Sequence, residues 1–166
     1  QTARPTVDTS PWIERTLRSE ATGQEYRYLH LPGESEDAPP LLLLHGGFFD
    51  NRMFLNVHEL GSRFEVFALE WPSESPLYQG RVEDYGDIAH DFLGALGIDD
   101  LYVAGQSAGG WGAIDLVSRK QDLTVRALFI IATSMFAVSP EEVEQRVELG
   151  NRALSLEPER LRAITR

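Results

Sequence analysis

The stretch Leu101–Trp111, with the sequence LYVAGQSAGGW, most constrains what this chain can fold into. It places Gly105-x-Ser107-x-Gly109 between an apolar segment typical of a buried strand and a segment predicted to be a helix. A serine on such a sharp turn has a strained backbone, and glycines on either side let neighbouring chain come close. Its hydroxyl then lies near the free amides of a helix N-terminus, which stabilise negative charge. Ser107 is therefore the candidate nucleophile.

The alternative is an ordinary strand-to-helix turn in a nucleotide-binding α/β domain. Such domains carry Gly-x-Gly-x-x-Gly or Gly-x-x-x-x-Gly-Lys-Ser/Thr phosphate loops, and neither pattern occurs in this sequence. The motif also follows the third predicted parallel strand, and not the first. Both observations favour a nucleophilic serine over a phosphate-binding turn.

The order of predicted elements indicates the fold class. Two strand-like pieces flank the turn Thr22-Gly23-Gln24 and predict a β-hairpin, and the continuous apolar run Leu41–Leu44 predicts a strand buried on both faces. Further strands are predicted at 64–69, 101–104 and 125–132, and the last of these is also predicted to be buried. Helices are predicted at 51–60, 83–96 and 111–119, and Gly97 is predicted to end the second helix. This alternation predicts an α/β fold, a three-layer α/β/α sandwich with a mainly parallel sheet.

The composition of the chain limits the kinds of partner and cofactor that it is expected to bind. The net charge of −11 argues against nucleic acid, because a phosphate backbone would be repelled. Apolar runs such as Leu41–Leu44 are too short for a membrane span, and the lack of cysteine leaves the redox compartment open. The four histidines are scattered without a ligand-like spacing, so neither a metal site nor a cofactor is predicted.

With the turn Gly105-x-Ser107-x-Gly109, a nucleophile elbow, and the segment His45-Gly46-Gly47-Phe48, the chain resembles the α/β-hydrolase superfamily. The resemblance is to its capped branch of esterases, lactonases, C–C hydrolases and haloalkane dehalogenases. In that family the amide just past a His-Gly pair and the amide after the nucleophile form the oxyanion hole. The resemblance therefore implies Gly47 or Phe48, together with Ala108, as oxyanion donors. Serine at the nucleophile position favours acyl-transfer chemistry, or lyase chemistry of the hydroxynitrile kind, over dehalogenation.

The resemblance also assigns His45 a structural role in holding the oxyanion loop. The other three histidines fall in a strand and two helices and are most simply surface or packing residues. Aromatic side chains near the predicted strand ends are candidates for an apolar substrate pocket, with ordinary packing as the alternative: Phe49, Trp71 and Trp111.

The chain departs from the family pattern after the sixth strand. The family places its triad acid after the sixth or seventh strand and its histidine after the eighth, whereas Thr133–Phe136 contains no carboxylate. The segment Ser139-Pro140-Glu141-Glu142 is a helix start where the family inserts its cap. We therefore expect a core over 1–136 and the start of a helical cap over 137–166, with the triad acid and histidine outside this chain.

Three explanations for this departure stay open. The chain is a fragment of a longer hydrolase, a short variant that uses His90 or His58 as base, or a non-catalytic ligand-binding protein or receptor on the same fold. For the intact protein we expect hydrolysis of a small or medium ester, lactone or amide. The apolar edge of a sheet that ends at the sixth strand predicts pairing with a second polypeptide or with a copy of itself.

Overall fold

The computed structural model describes residues 8–47, 49–78 and 83–133, and these form a six-stranded sheet with three helices. In chain order the elements are β1 (Ile13–Arg18), β2 (Glu25–Leu31), β3 (Pro40–Leu44), a 3₁₀ helix (Asn51–Ser62), β4 (Glu65–Glu70), α1 (Glu83–Leu96), β5 (Asp100–Gln106), α2 (Ala108–Arg119) and β6 (Thr124–Ile131). The predicted hairpin and the alternation of strands and helices are both present. The predicted cap at 137–166 and its boundary at 136/137 lie outside the described residues.

The strand order β1-β2-β4-β3-β5-β6 confirms a mainly parallel sheet. Strands β4, β3, β5 and β6 are parallel neighbours, and the hairpin β1–β2 joins β4 in antiparallel orientation. Leu44 at the end of β3 is in register with Leu69 on β4 and with Gly105 on β5. The segments that follow these three strands therefore leave the sheet together, at the carboxyl ends of the strands, where ligands bind in open α/β sheets.

The apolar run of β3 is buried on both faces, as predicted. Leu42 and Leu44 belong to a core with the inner faces of α1 and α2, whereas Leu41 and Leu43 pack with Phe54 of the 3₁₀ helix. Because strand side chains alternate between faces, a strand covered on both sides must be apolar at every position. The sheet thus forms the middle layer, with α1 and α2 on one face and the 3₁₀ helix on the other.

The helices differ slightly from their sequence predictions. The segment predicted as a helix over 51–60 is a 3₁₀ helix with a kink at Val57, where φ is −104° and ψ is 29°. Helix α1 ends as predicted at Gly97, whose φ of 71° suits glycine and whose neighbour Ile98 donates to the Leu93 carbonyl at 3.0 Å. None of the helices in the described ranges is long and apolar enough to cross a membrane.

Strand β6 does not match its prediction as a buried strand. Its side chains alternate between half-buried and exposed, and Phe129 and Ile131 are 52% and 54% exposed. The reason is topological, because β6 lies at the edge of the described sheet and pairs only with β5. Its alternate residues Leu128 and Ile130 pack against the core beneath α2, so only one face of the strand is well covered.

Candidate active site

Ser107 occupies the single-residue turn between β5 and α2. Its φ of 53° and ψ of −118° lie outside the regions that residues with a side chain normally adopt. The backbone of this turn is held on both sides, since the Ser107 amide donates to the Ile131 carbonyl at 3.0 Å and its own carbonyl accepts from the Gly110 amide at 2.9 Å. The turn therefore holds Ser107 at the carboxyl ends of β3, β4 and β5.

The two glycines of the motif are required by close approach of the backbone. A methyl group on Gly105 would overlap the carbonyl of Gly109, and one on Gly109 would overlap the carbonyl oxygen of Leu44. Helix α2 can therefore pack directly against the ends of β5 and β3. The pattern read from the sequence thus has a steric cause in the packing of this turn.

The loop after β3 lies against the turn at Ser107. A methyl group on Gly46 would come within 3.2 Å of Ser107 Cβ, and one on Gly47 would come within 3.8 Å of Ala108 Cβ. The structure thus brings Gly47 and Ala108, two of the three predicted oxyanion donors, into the same place. The third, Phe48, lies outside the described residues.

His45 is buried, with 3% of its surface exposed, and both of its ring nitrogens have hydrogen-bond partners. Its Nδ1 is 2.8 Å from the Gly46 carbonyl oxygen, and its Nε2 accepts the Trp71 amide at 3.2 Å. A backbone amide only donates, so Nε2 is the acceptor and Nδ1 carries the proton. This geometry agrees with the structural role that the resemblance implies and leaves no ring nitrogen free to act as a base.

The other histidines also lie in contacts or at surfaces away from the loop. His30 is 3.0 Å from Glu65 and stacks on Phe67, and His90 is 2.7 Å from Asp122. His58 is exposed on the 3₁₀ helix. In the described residues, the Ser107 side chain makes no capping hydrogen bond to α2.

The carboxylate of Glu70, near the site, also has contacts with neighbouring residues. Glu70 at the end of β4 accepts the Asn51 amide at 2.9 Å and lies 3.9 Å from His45 Nε2. It therefore helps to join the 3₁₀ helix to the loop after β3. In the part of the chain that the structure describes, no group of three or more His, Asp or Glu side chains is arranged to hold a metal ion.

The three candidate pocket residues differ in their surroundings. Phe49 is 58% exposed just before the 3₁₀ helix, and Trp111 is half-buried in the first turn of α2. Trp71 is half-buried, stacks edge-on against Tyr85 at 4.9 Å, and donates from its indole nitrogen to the His45 carbonyl at 2.8 Å. Trp71 is thus bonded to the loop after β3, a contact that the sequence did not indicate.

Thr133 is a residue of this site that the sequence analysis missed. Its hydroxyl donates to the Ser107 carbonyl at 3.0 Å, just after the end of β6. In the sequence it stands out only by following the last predicted strand. Its contact with Ser107 depends on β5 and β6 being adjacent, which the tertiary structure decides.

The sequence model of the alpha/beta hydrolase family matches residues 41–165, about three quarters of the chain. This chain belongs to the alpha/beta hydrolase family. The match begins at β3, so it covers the loop after β3 and the turn at Ser107. The fold class expected from the sequence is therefore confirmed.

Individual relatives of this alpha/beta hydrolase chain are carboxylesterases. Carboxylesterase YbfK of Bacillus subtilis (strain 168) is 28% identical over 121 residues, which are 69% of this chain and 41% of the relative. Its crystal structure superposes with a TM-score of 0.67 at 23% identity, covering 85% of this chain and 51% of the other. The crystal structure of naproxen esterase from Bacillus subtilis superposes with a TM-score of 0.68 at 23% identity, covering 86% and 51%.

These coverages show how much of a relative this chain represents. The chain spans 41% of YbfK and 36% of a second Bacillus subtilis carboxylesterase. The chain therefore corresponds to about half or less of the length of each relative. The structural likeness shows the shared fold, and the chemistry has to be argued from the residues.

Proposed function

We propose that this chain carries the nucleophile and oxyanion hole of a serine carboxylesterase. Ser107 Oγ attacks the carbonyl carbon of an ester, and its proton passes through a base to the leaving alcohol. Water then attacks the acyl-serine, releases the carboxylic acid and restores the hydroxyl. The observation that carries this proposal is the position of Ser107 on a strained strand-to-helix turn, with Gly46 and Gly47 packed against it.

The oxyanion donors in this proposal are the Ala108 amide together with the Gly47 or Phe48 amide. The closeness of Gly47 to Ala108 supports this arrangement. Two fixed amides in a site without bulk water stabilise a developing oxyanion far better than water does, by about 3 kcal/mol per donor. The proposed substrates are small or medium esters, with lactones and amides as chemical neighbours, and Phe49, Trp71 and Trp111 border the acyl pocket.

The base and acid of the triad come, in this proposal, from polypeptide outside these 166 residues. Support comes from the histidines, since His45 has no free ring nitrogen, and His30 and His90 are paired with carboxylates on other elements. The greater length of the carboxylesterase relatives is consistent with this division. Without its base a serine is a weak nucleophile, so the 166 residues alone are expected to react slowly.

The same polypeptide is proposed to complete the sheet at β6. An apolar groove of about 270 Å³ lies on the face that carries Phe129 and Ile131, lined also by Leu41, Leu43 and Phe54. Parallel strands are normally covered on both faces, and an unpaired edge strand attracts another chain. A C-terminal segment of the same hydrolase would cover this groove and bring the triad residues to the strand ends.

The test is intact mass after treatment with a fluorophosphonate, using the native protein with any attached or associated polypeptide. We expect one adduct on the wild type and none on Ser107→Ala. Ser118→Ala is the matched control, because Ser118 lies on α2 with its hydroxyl bonded to the Asp115 carbonyl. The 166 residues alone should label more slowly by a factor on the order of 10⁴, as expected when triad members are missing.

Two outcomes would contradict the proposal in different ways. An adduct that persists in Ser107→Ala would identify another nucleophile. A folded native protein that forms no adduct would instead support the non-catalytic reading, in which the pocket binds a ligand without reaction. Circular dichroism of each variant separates either result from unfolding.

A further inference from the structure

We propose that Trp71 is a positioning residue that fixes the oxyanion amide of Gly47 through His45. This inference rests on the proposed function, because it assigns a second residue to the oxyanion hole of that site. Trp71 then has a second role, besides bordering the acyl pocket of the proposed function.

Two hydrogen bonds join the exit of β4 to the loop after β3, and Trp71 donates both of them to His45. The Trp71 amide donates to His45 Nε2 at 3.2 Å, and the Trp71 indole N–H donates to the His45 carbonyl oxygen at 2.8 Å. Each residue thus uses its ring to bind the backbone of the other. We call this pair of bonds the His45–Trp71 clamp.

The clamp determines which nitrogen of His45 carries the proton. Because the Trp71 amide must donate, Nε2 accepts and Nδ1 is protonated. The Nδ1–H then donates to the Gly46 carbonyl oxygen at 2.8 Å. Since His45 is buried, water does not compete for either ring nitrogen.

The bond to Gly46 sets the direction of the Gly47 amide. The Gly46 carbonyl and the Gly47 N–H belong to one planar trans peptide, so they point in opposite directions. Holding the carbonyl on His45 therefore orients the N–H, and Gly47 lies against Ala108, the other proposed donor. The indole bond fixes the preceding peptide, between His45 and Gly46, in the same way.

The indole ring is itself held by packing. It stacks edge-on against Tyr85 of α1 at 4.9 Å, and a methyl group on Gly112 of α2 would lie 3.4 Å from Trp71 Cη2. The clamp therefore connects the loop after β3 to both helices on that face of the sheet. Such second contacts are what keep a preformed oxyanion site within the narrow tolerance that it needs.

The experiment is Trp71→Phe in the native protein, which keeps an aromatic ring and removes the indole N–H. We expect kcat for ester hydrolysis to fall about 10- to 100-fold with KM nearly unchanged, as for a misplaced oxyanion donor. Affinity for a trifluoromethyl ketone analogue of the ester, which forms an oxyanion on the serine, should fall by the same factor.

The matched control is Trp12→Phe. Trp12 is buried and also donates from its indole, to the Leu55 carbonyl at 3.3 Å, but away from this loop. Its replacement should lower stability without changing kcat or the affinity for the ketone. Equal kcat and ketone affinity in the two variants would overturn the proposal, and so would a change in KM alone, which would make Trp71 a pocket wall.

A second measurement on the 166 residues does not depend on catalysis. Amide hydrogen exchange at Gly46 and Gly47 should accelerate in Trp71→Phe and not in Trp12→Phe, because only Trp71→Phe loses the indole bond of the clamp. Unchanged exchange would overturn the inference even in an active enzyme. An inert wild type with faster exchange would instead count against the proposed esterase activity alone.

Discussion

At the scale of single residues, Ser107 has a strained backbone conformation. A backbone at φ 53° and ψ −118° is disfavoured for any residue with a Cβ, and such strain costs on the order of 1–3 kcal/mol. The surroundings hold it there through bonds from Ser107 to Ile131 and from Gly110 and Thr133 to Ser107. Strain retained at one polar residue, on a turn that presents its hydroxyl, is the pattern of a functional site.

Removing the side chain at this position should therefore stabilise the fold. Ser107→Gly is expected to raise the free energy of unfolding by about 1 kcal/mol, because glycine adopts this backbone without strain. Ser107→Ala keeps the Cβ and is expected to leave stability near that of the wild type. Urea unfolding of the three proteins measures the difference, and a glycine variant no more stable than the alanine variant would show that the turn is unstrained.

At the scale of elements, the site forms because the carboxyl ends of three neighbouring parallel strands lie side by side. Register places the last residues of β3, β4 and β5 side by side, so the segments with Gly46, Trp71 and Ser107 meet there. Helices α1 and α2 cover the adjacent face and are joined by Asp87, which lies 2.6 Å from Lys120 and 3.0 Å from Arg119.

The link should give a pH-dependent contribution to stability. Burial alone would raise the pKa of Asp87, but the hydrogen bonds and charges of Lys120 and Arg119 outweigh it and hold the pKa below its usual value. A carboxyl with a lowered pKa stabilises the fold above its unfolded value of about 3.9, and this stabilisation is lost as pH falls through the folded pKa. Asp87→Asn should thus cost about 1 kcal/mol at pH 7 and less at pH 3, measured by urea unfolding.

Asp122→Asn provides the comparison for this prediction. Asp122 is also ion-paired, with His90 at 2.7 Å, but its side chain is 66% exposed. Water screens such a pair, so its loss should matter less than the loss of Asp87 at pH 7. An equal effect of the two substitutions, or an Asp87→Asn effect that does not shrink in acid, would contradict the assignment.

At the scale of the whole molecule, the two edges of the described sheet are treated differently. The hairpin β1–β2 forms one edge of the sheet. At the other edge, β6 leaves Phe129 and Ile131 exposed beside an apolar groove. Exposed apolar patches of this kind mark surfaces that bind other protein. The proposal that a C-terminal segment of the same hydrolase covers this face follows from that asymmetry.

The apolar face of β6 that residues 8–47, 49–78 and 83–133 leave open gives a prediction for the 166 residues studied alone. We expect binding of the dye ANS, self-association in light scattering, or both, and a clear decrease of each in the double variant Phe129→Thr, Ile131→Thr. Ile13→Thr on β1 is the control, because Ile13 is exposed at the opposite edge and should not contribute. A monodisperse wild-type monomer that binds no ANS would refute the open face.

The order of strands and helices, the turn at Ser107 and the loop of glycines after β3 could all be predicted, because periodicity and glycine placement are local properties of a sequence. The role of Ser107 as nucleophile remains a prediction. What only the tertiary structure decided depends on which segments become neighbours. Thr133 reaches Ser107 because β6 lies beside β5, and Trp71 bonds to His45 because β4 lies beside β3. The exposure of β6 has the same origin, since an apolar strand is buried only when other elements cover it.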